Sequence, residues 1–404
     1  QDVIKCGSYT GNGADDGPTV DLGFEPQFIF LKRADGTSQW NIVDTMRGLV
    51  TGGSDIRLYP NLTNTDDGFD FIEVTATGFK ITTSASAYNA SSGTFIYMAI
   101  RRGPLAEPTS ASDVFDVKQG VSSIPAFNTG FTVDAVLQAA NITSTTSWRI
   151  RNRLTNANYM IPSDNSQETP STSSTYQFDL QTGYGKSTSA FTNVYAWMWK
   201  RAPGYFDVVC FKGNGGGARN ITHNLGSAPG MLWLKRRDGS SPYGDWYVQH
   251  TGIAASEYIT LNANSAKTSS PDSWNSTYAS SDVFRVGSDN NVSNFEYIVY
   301  LFGTVANVSK VGSFTGATSD VTVDCGFSNG AKFVILKDAS GSDDWYVYDT
   351  ARGIVAGNDG YLELNTTNAE NTGADYIDPH SSGFIITSGF MQSGRTYIFY
   401  AIAA

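Results

Sequence analysis

Charge is scarce in this chain and leans acidic: only 16% of its residues are charged, with Lys+Arg 27 against Asp+Glu 38 and a formal net charge of −11. No basic cluster occurs, so the electrostatic footprint that grips a phosphate backbone is missing and no nucleic acid is expected as a partner. Long apolar runs are missing too. None approaches the roughly 20 residues that cross a bilayer as a helix, so no membrane partner is expected. The opening QDVIKCGSYT has no apolar core of a secretory signal. Cysteine is reduced to Cys6, Cys210 and Cys325. So sparse and odd a set is no disulfide framework, and without a C-x-x-C or Cys/His cluster no metal or cofactor is expected. Cys6 and Cys210, about 200 residues apart, fall at what look like matching places and read as small buried residues on early strands.

Aromatics, at 13%, and glycine, at 41 residues, are plentiful, alongside much Ser, Thr and Asn. That composition describes β-structure with many turns and argues against disorder.

A repeat organises the chain. The pattern Trp-x-(Ile/Val)-x-polar occurs from Trp40, Trp148, Trp246 and Trp345, at spacings of 108, 98 and 99. Phe-x-(Ile/Leu/Val) falls at Phe79, Phe178, Phe284 and Phe384, at spacings of 99, 106 and 100. A closing aromatic strand begins at Phe95, Val194, Tyr297 and Tyr397. These markers agree on four copies of about 100 residues, placed at 1–103, 104–202, 203–304 and 305–404. Copies 1, 3 and 4 share an apolar run ending in Lys32, Lys235 or Lys337, followed four residues later by Gly36, Gly239 or Gly341. Copy 2 keeps Gly130-Phe131 but loses that Lys and Gly, and has diverged. The Trp strand alternates, with Trp40, Ile42 and Asp44 on one face and Asn41 and Val43 on the other. The closing strands are apolar at almost every position, as a strand covered on both faces would be. The expected fold is all-β: four tandem β-sandwiches, jelly-roll-like, each of seven to nine strands. Short junctions such as Arg101–Pro108 and Lys200–Gly204 imply a semi-rigid string or a compact cluster.

Signs of chemistry are thin. His223, His250 and His380 lie in unrelated settings, and His250 takes the place of Asp44 and Asp349 in the sister copies, which favours a structural polar slot. The doublets Asp15-Asp16, Asp66-Asp67 and Asp343-Asp344 would point to opposite faces of a strand, so they suit turns better than a glycosidase pair. Surface calcium is the alternative for such loops, without an EF-hand spacing to support it. Asp44-Thr45-Met46-Arg47-Gly48 and Asp349-Thr350-Ala351-Arg352-Gly353 suit a structural turn in which Asp44 meets Arg47 and Asp349 meets Arg352. With no catalytic constellation, no enzyme activity is expected. Sugar stacking would need exposed rings, and the loop aromatics Tyr88, Tyr184, Tyr243, Trp274 and Tyr278 are the candidates for ligand binding.

The succession Gly23-Phe24, Pro26, Lys32, Trp40, Asp44, Arg47-Gly48, Gly78-Phe79 and Tyr97 resembles a repeat module of tailed-bacteriophage virion-surface and tail-fibre proteins, especially those of marine phages. Copy 4 follows with Gly326-Phe327, Lys337, Trp345, Asp349, Arg352-Gly353, Gly383-Phe384 and Tyr400, without the Pro. The resemblance implies a place on the virion surface and an adhesive or decorating role. The leading expectation is a non-enzymatic virion structural protein on a tail fibre, tail tip or head spike that contributes to host-surface glycan adhesion. Its partners would be other virion proteins, copies of itself and host polysaccharide. Two alternatives stand beside it: a capsid decoration protein with no ligand, and a secreted carbohydrate-binding module.

Overall fold

The computed structural model describes residues 3–156, 158–171, 174–186, 191, 193–239 and 244–404. Among them the protein is all-β, in antiparallel sheets. Copy 1 forms a large sheet in the spatial order Ile4–Thr10, Thr94–Arg101, Pro26–Arg33, Asn41–Asp44, Asp55–Leu58, Asp67–Phe69. A small sheet of Thr19–Asp21, Gly78–Ile81 and Ile72–Thr75 covers one side of it. Copy 4 repeats both sheets strand for strand, and copy 3 repeats the large one over a two-stranded small one. Copy 2 retains five strands of the large sheet and two of the small. The layers are therefore unequal, because the third to sixth strands meander through one sheet instead of dividing between two as in a jelly roll.

Aromatic rings join the layers. Phe79 of the small sheet meets Tyr97 edge-on at 5.4 Å, and Phe384 meets Phe399 the same way at 5.4 Å. The first strand yields room for these rings. Gly7 lies opposite Tyr97 and Gly312 opposite Phe399, where a Cβ would fall 2.7 and 2.6 Å from the ring Cζ atoms. In copy 3 the opposite residue is only Val299, and the first strand carries Val209.

The second face of the large sheets explains the uniformly apolar closing strands. One set of alternate residues fills each sandwich. The other set, Trp197 and Trp199 in copy 2, Ile298, Tyr300 and Phe302 in copy 3, Ile398, Tyr400 and Ile402 in copy 4, is buried in a single core shared between copies. Copies 2, 3 and 4 thereby form a closed ring. Trp148 Nε1 donates to the Glu363 carbonyl at 3.2 Å, Trp345 Nε1 to Thr260 at 3.1 Å, and Trp246 Nε1 to Ile161 at 3.0 Å, so each copy's tryptophan reaches the next copy and the third returns to the first. The polar residue four places after each tryptophan closes a second circuit: Asn152 to the Tyr300 hydroxyl at 3.2 Å, His250 to the Phe399 carbonyl at 3.2 Å, and Asp349 accepting from Trp197 Nε1 at 3.0 Å. His250 Nδ1 accepts from the Gly252 amide, which leaves Nε2 as the donor. At the centre Trp199 of copy 2, Phe206 of copy 3 and Phe333 of copy 4 converge, with the Phe206 and Phe333 centroids 6.1 and 5.7 Å from Trp199. The copies are a compact cluster with a common core.

The junctions are buried keystones. Arg201 grips both oxygens of Glu25 in copy 1 at 2.7 and 2.5 Å, and its Nε reaches Asp207 at 2.7 Å. Its own amide donates to Asp134 at 2.7 Å. Burial alone would raise the Asp207 carboxyl; the Arg201 and Arg102 guanidinium groups outweigh it and hold the carboxyl below the usual range. The Asp-Arg corners also close locally. Asp44 accepts from the Met46 and Arg47 amides at 3.0 and 2.9 Å, and Asp349 from Ala351 and Arg352 at 3.0 Å each. Arg47 meets the Asp44 carboxylate at 2.5 Å, and Arg352 meets Asp349 at 2.7 Å.

The cysteines depart from expectation. Cys6 is exposed, and it pairs with Met98 whereas Cys210 pairs with Ile298, two positions along the aligned strand, so the two do not match in register. Cys6 lies on the outer face of the large sheet, which copy 1 leaves uncovered.

Two outcomes follow from this architecture. Arg201→Met strands two buried carboxylates and should cost about 3–5 kcal/mol in a denaturant titration. Burial pushes His250 down to about 4 from its ordinary 6.5, so the unfolded chain binds that proton more tightly. The stability His250 contributes is full above pH 6.5 and is lost as pH falls through 4, at about 1.4 kcal/mol per pH unit. Subtracting the pH-stability curve of His250→Gln from that of the parent isolates this slope.

Candidate functional site

Sequence periodicity places Arg57 and Tyr59 on one face of the short strand Asp55–Leu58 and its exit, opposite Val43 and beside Asn41. The strand Asp67–Phe69 adds to the same edge, and the turn of helix Ser86–Asn89 folds over it. Between them lies a cleft of about 460 Å3 bordered by Gln39, Asn41, Arg57, Tyr59, Leu62, Asn64, Asp67 and Tyr88.

Arg57 organises the cleft. Its Nε and Nη2 hold the Asp67 carboxylate at 2.7 and 3.0 Å, and its Nη1 donates to the Tyr88 hydroxyl at 2.5 Å. Tyr88 passes its proton toward Asn41 Oδ1 at 3.1 Å, and Tyr59 donates to Asp67 at 3.2 Å. The guanidinium lies over the Phe69 ring, 4.6 Å from its centroid, a cation–π arrangement that fixes its plane. Burial pushes the Tyr88 hydroxyl up to about 12, so it stays protonated and can serve as donor and acceptor at once. The hydrogen bond from Arg57 holds Asp67 below the usual carboxylate range. Asp67 is thus ionised and neutralised by its partner, poor as a proton donor and good as an acceptor. The cleft carries no net charge and presents amides, hydroxyls and ring edges. That chemistry suits a neutral polyhydroxylated ligand.

The sister copies fill the same place. In copy 4 Tyr346 stands for Asn41, Tyr361 for Arg57 and Phe390 for Tyr88, and with Tyr376 they pack at centroid distances of 4.9 to 5.7 Å. In copy 3 the added helix Pro271–Trp274 drives Trp274 into one core with Tyr247. The substitution of Arg57 for a ring opens copy 1 alone among these three.

Of the loop aromatics read from the sequence, Tyr88 lines the cleft through its hydroxyl while most of its ring packs on Phe71, 4.2 Å away. Tyr184 and Trp274, expected at the surface, are each 0% exposed and cannot stack on a sugar. The reason is that neither stands in a loop: Tyr184 lies on the strand Gly183–Tyr184 of the copy 2 small sheet, paired with Phe127, and Trp274 ends the helix Pro271–Trp274 that packs on the copy 3 core. Tyr278 is 41% exposed in copy 3, its hydroxyl donating to the Ile253 carbonyl. Tyr243 lies outside the described residues. Tyr88 and Tyr184 lie in different copies from Trp274 and Tyr278, and within copy 3 Trp274 is buried while Tyr278 is exposed. Sequence reasoning passed over Arg57, Tyr59 and Asn41 as site residues and read Asp67 as part of a turn doublet; the available signal was the misfit of Arg57 and Asn41 against Tyr361 and Tyr346 at aligned positions. The aspartate doublets serve as turn and pairing residues, with Asp15 accepting from the Ser84 amide and Asp344 from Asn365. No group of three or more His, Cys, Asp and Glu side chains able to hold a metal occurs among the described residues.

No curated protein matches the chain. A family model matches residues 3–104 and 129–404, spanning the cleft and the ring alike. The chain belongs to the family described as a domain of unknown function, DUF7483.

Proposed function

We propose that this protein is a non-enzymatic binding component of the surface of a tailed-phage particle, and that the copy 1 cleft takes a neutral sugar unit of a host-surface polysaccharide. The cleft carries this reading: a charge-compensated Arg57–Asp67 pair, flanked by Asn41, Asn64, Gln39 and two tyrosine hydroxyls, offers paired donors and acceptors on an aromatic floor. Such a surface recognises vicinal hydroxyls by hydrogen bonding without needing a charged ligand. The placement on a virion rests on the resemblance of the repeat to phage surface modules. A rigid cluster with buried junctions suits a particle appendage, because it presents a site in a fixed direction.

Arg57→Gln tests the cleft. Isothermal titration with host polysaccharide fragments should show affinity reduced by about tenfold or more, the scale of one or two lost hydrogen bonds. The melting transition of the variant serves as the folding control. Equal affinity of parent and variant would remove the cleft from the reading. Gold-labelled antibody on purified particles tests the location, and particles without label would overturn it.

A further inference from the structure

We infer that the protein assembles as a homotrimer in which the uncovered sheet face of copy 1 meets the same face of two other chains, reproducing between chains the ring that copies 2, 3 and 4 form within one.

Register aligns the faces residue for residue. Ile100 occupies the place of Trp199, Phe302 and Ile402, and Met98 that of Trp197, Tyr300 and Tyr400. Each of those six sister residues is buried in the shared core. In copy 1 the face stays apolar and, among the described residues, less covered: Met98 and Ile100 are only half-buried. Ile4 is 53% and Ile96 39% exposed, whereas Ile298 and Ile398, the counterparts of Ile96, are 0% exposed. An apolar sheet face of this kind on an otherwise polar, acidic protein marks an interaction surface.

The polar contacts that lock the internal ring are also present in copy 1 as unfilled halves. Trp40 corresponds to Trp148, Trp246 and Trp345, yet its indole N–H has no acceptor among the described residues, and the ring lies on Phe30 at 4.6 Å. The acceptors in the internal ring are the carbonyls of Ile161, Thr260 and Glu363, each on the fifth strand or just beyond it. Register makes Tyr59 the copy 1 equivalent. The local geometry agrees: the Tyr59 carbonyl accepts the amide three residues on at 3.0 Å, as do Ile161 at 3.4 Å and Glu363 at 3.3 Å, and the latter two accept a tryptophan besides. Lysine follows the same rule. Lys235 reaches the Asn165 carbonyl of copy 2 at 3.1 Å and Lys337 the Asn264 carbonyl of copy 3 at 3.3 Å, four residues past the tryptophan acceptors. Lys32 holds only carbonyls of its own copy, at Arg33 and Gly36. Its missing partner corresponds to Thr63.

The occupant is therefore another copy 1. Only that face offers the Tyr59 and Thr63 carbonyls at the spacing that Trp40 and Lys32 require, and every chain carries both halves. A donor face that meets a different acceptor edge makes a head-to-tail contact, which must either close or polymerise. The internal ring built from the same geometry closes after three members, so three chains complete the assembly.

Light scattering coupled to size-exclusion chromatography of the full chain tests this. The expected mass is three times the chain's 43.5 kDa, falling threefold to the single chain in Ile96→Asp and in Trp40→Ala. Ile96 is exposed and Trp40 half-buried in the single chain, so the melting transition of Ile96→Asp should match that of the diluted parent. A parent that stays a single chain across the dilution series would overturn the proposal. So would a dimer, an open polymer, or a trimer that survives both substitutions.

Discussion

The structure depends on large sheets that are apolar on both faces. A sandwich needs one apolar face; a second has to be covered by something else, since leaving it in water forfeits roughly 25 cal/mol for each Å2 of apolar surface. Copies 2, 3 and 4 solve this by covering one another, and the result is a single core through which three sandwiches share Trp199, Phe206, Phe302, Phe333 and Tyr400. Hydrophobic burial has no direction, so the register of the ring comes from hydrogen bonds. Three indole N–H groups aimed at three carbonyls, and three polar residues four places further on, fix which face meets which edge.

Copy 1 joins this body outside the tryptophan circuit. Beside apolar packing, its link includes Arg201, Glu25, Asp207 and Arg102, a buried charge network that gains little over apolar packing but tolerates no missing partner. Arg153 adds hydrogen bonds to the Thr45 carbonyl and the Val133 carbonyl, tying the copy 1 corner to copy 2. Attached from the side, copy 1 keeps its large-sheet face free and its outer cleft open. The copy that carries the candidate binding site is thus also the one whose sheet face is left to meet other chains.

Divergence among the copies separates structural positions from functional ones. Where copies 2, 3 and 4 keep the same role, as in their tryptophans, the residue serves the fold. Asp44, Asn152, His250 and Asp349 differ in chemistry but share one slot, so a histidine there is a neutral hydrogen-bond donor and not a base. Arg57 breaks the pattern in the opposite direction. It replaces a packing ring by a cation with its own counter-ion, and a filled corner becomes a cleft.

The sequence alone determined the β-class, the approximately hundred-residue repeat, the alternation of the tryptophan strand and the two-sided apolarity of the closing strands, because each is a local or periodic property of side chains. It determined the Asp-Arg turns as well, since both partners lie within four residues of one another. What covers the second face was decided only by the tertiary structure, because hydrophobicity states that a surface must be buried without naming its partner. The same holds for exposure of single rings. Tyr184 and Trp274 read as surface loop residues in the sequence, and the structure buries them: Tyr184 lies on a strand of the small sheet of copy 2 and Trp274 closes the helix Pro271–Trp274 over the core of copy 3. The cleft, too, is a tertiary fact: Asn41, Arg57, Asp67 and Tyr88 come from four different elements, and only the antiparallel order of the sheet edge brings them within hydrogen-bond reach.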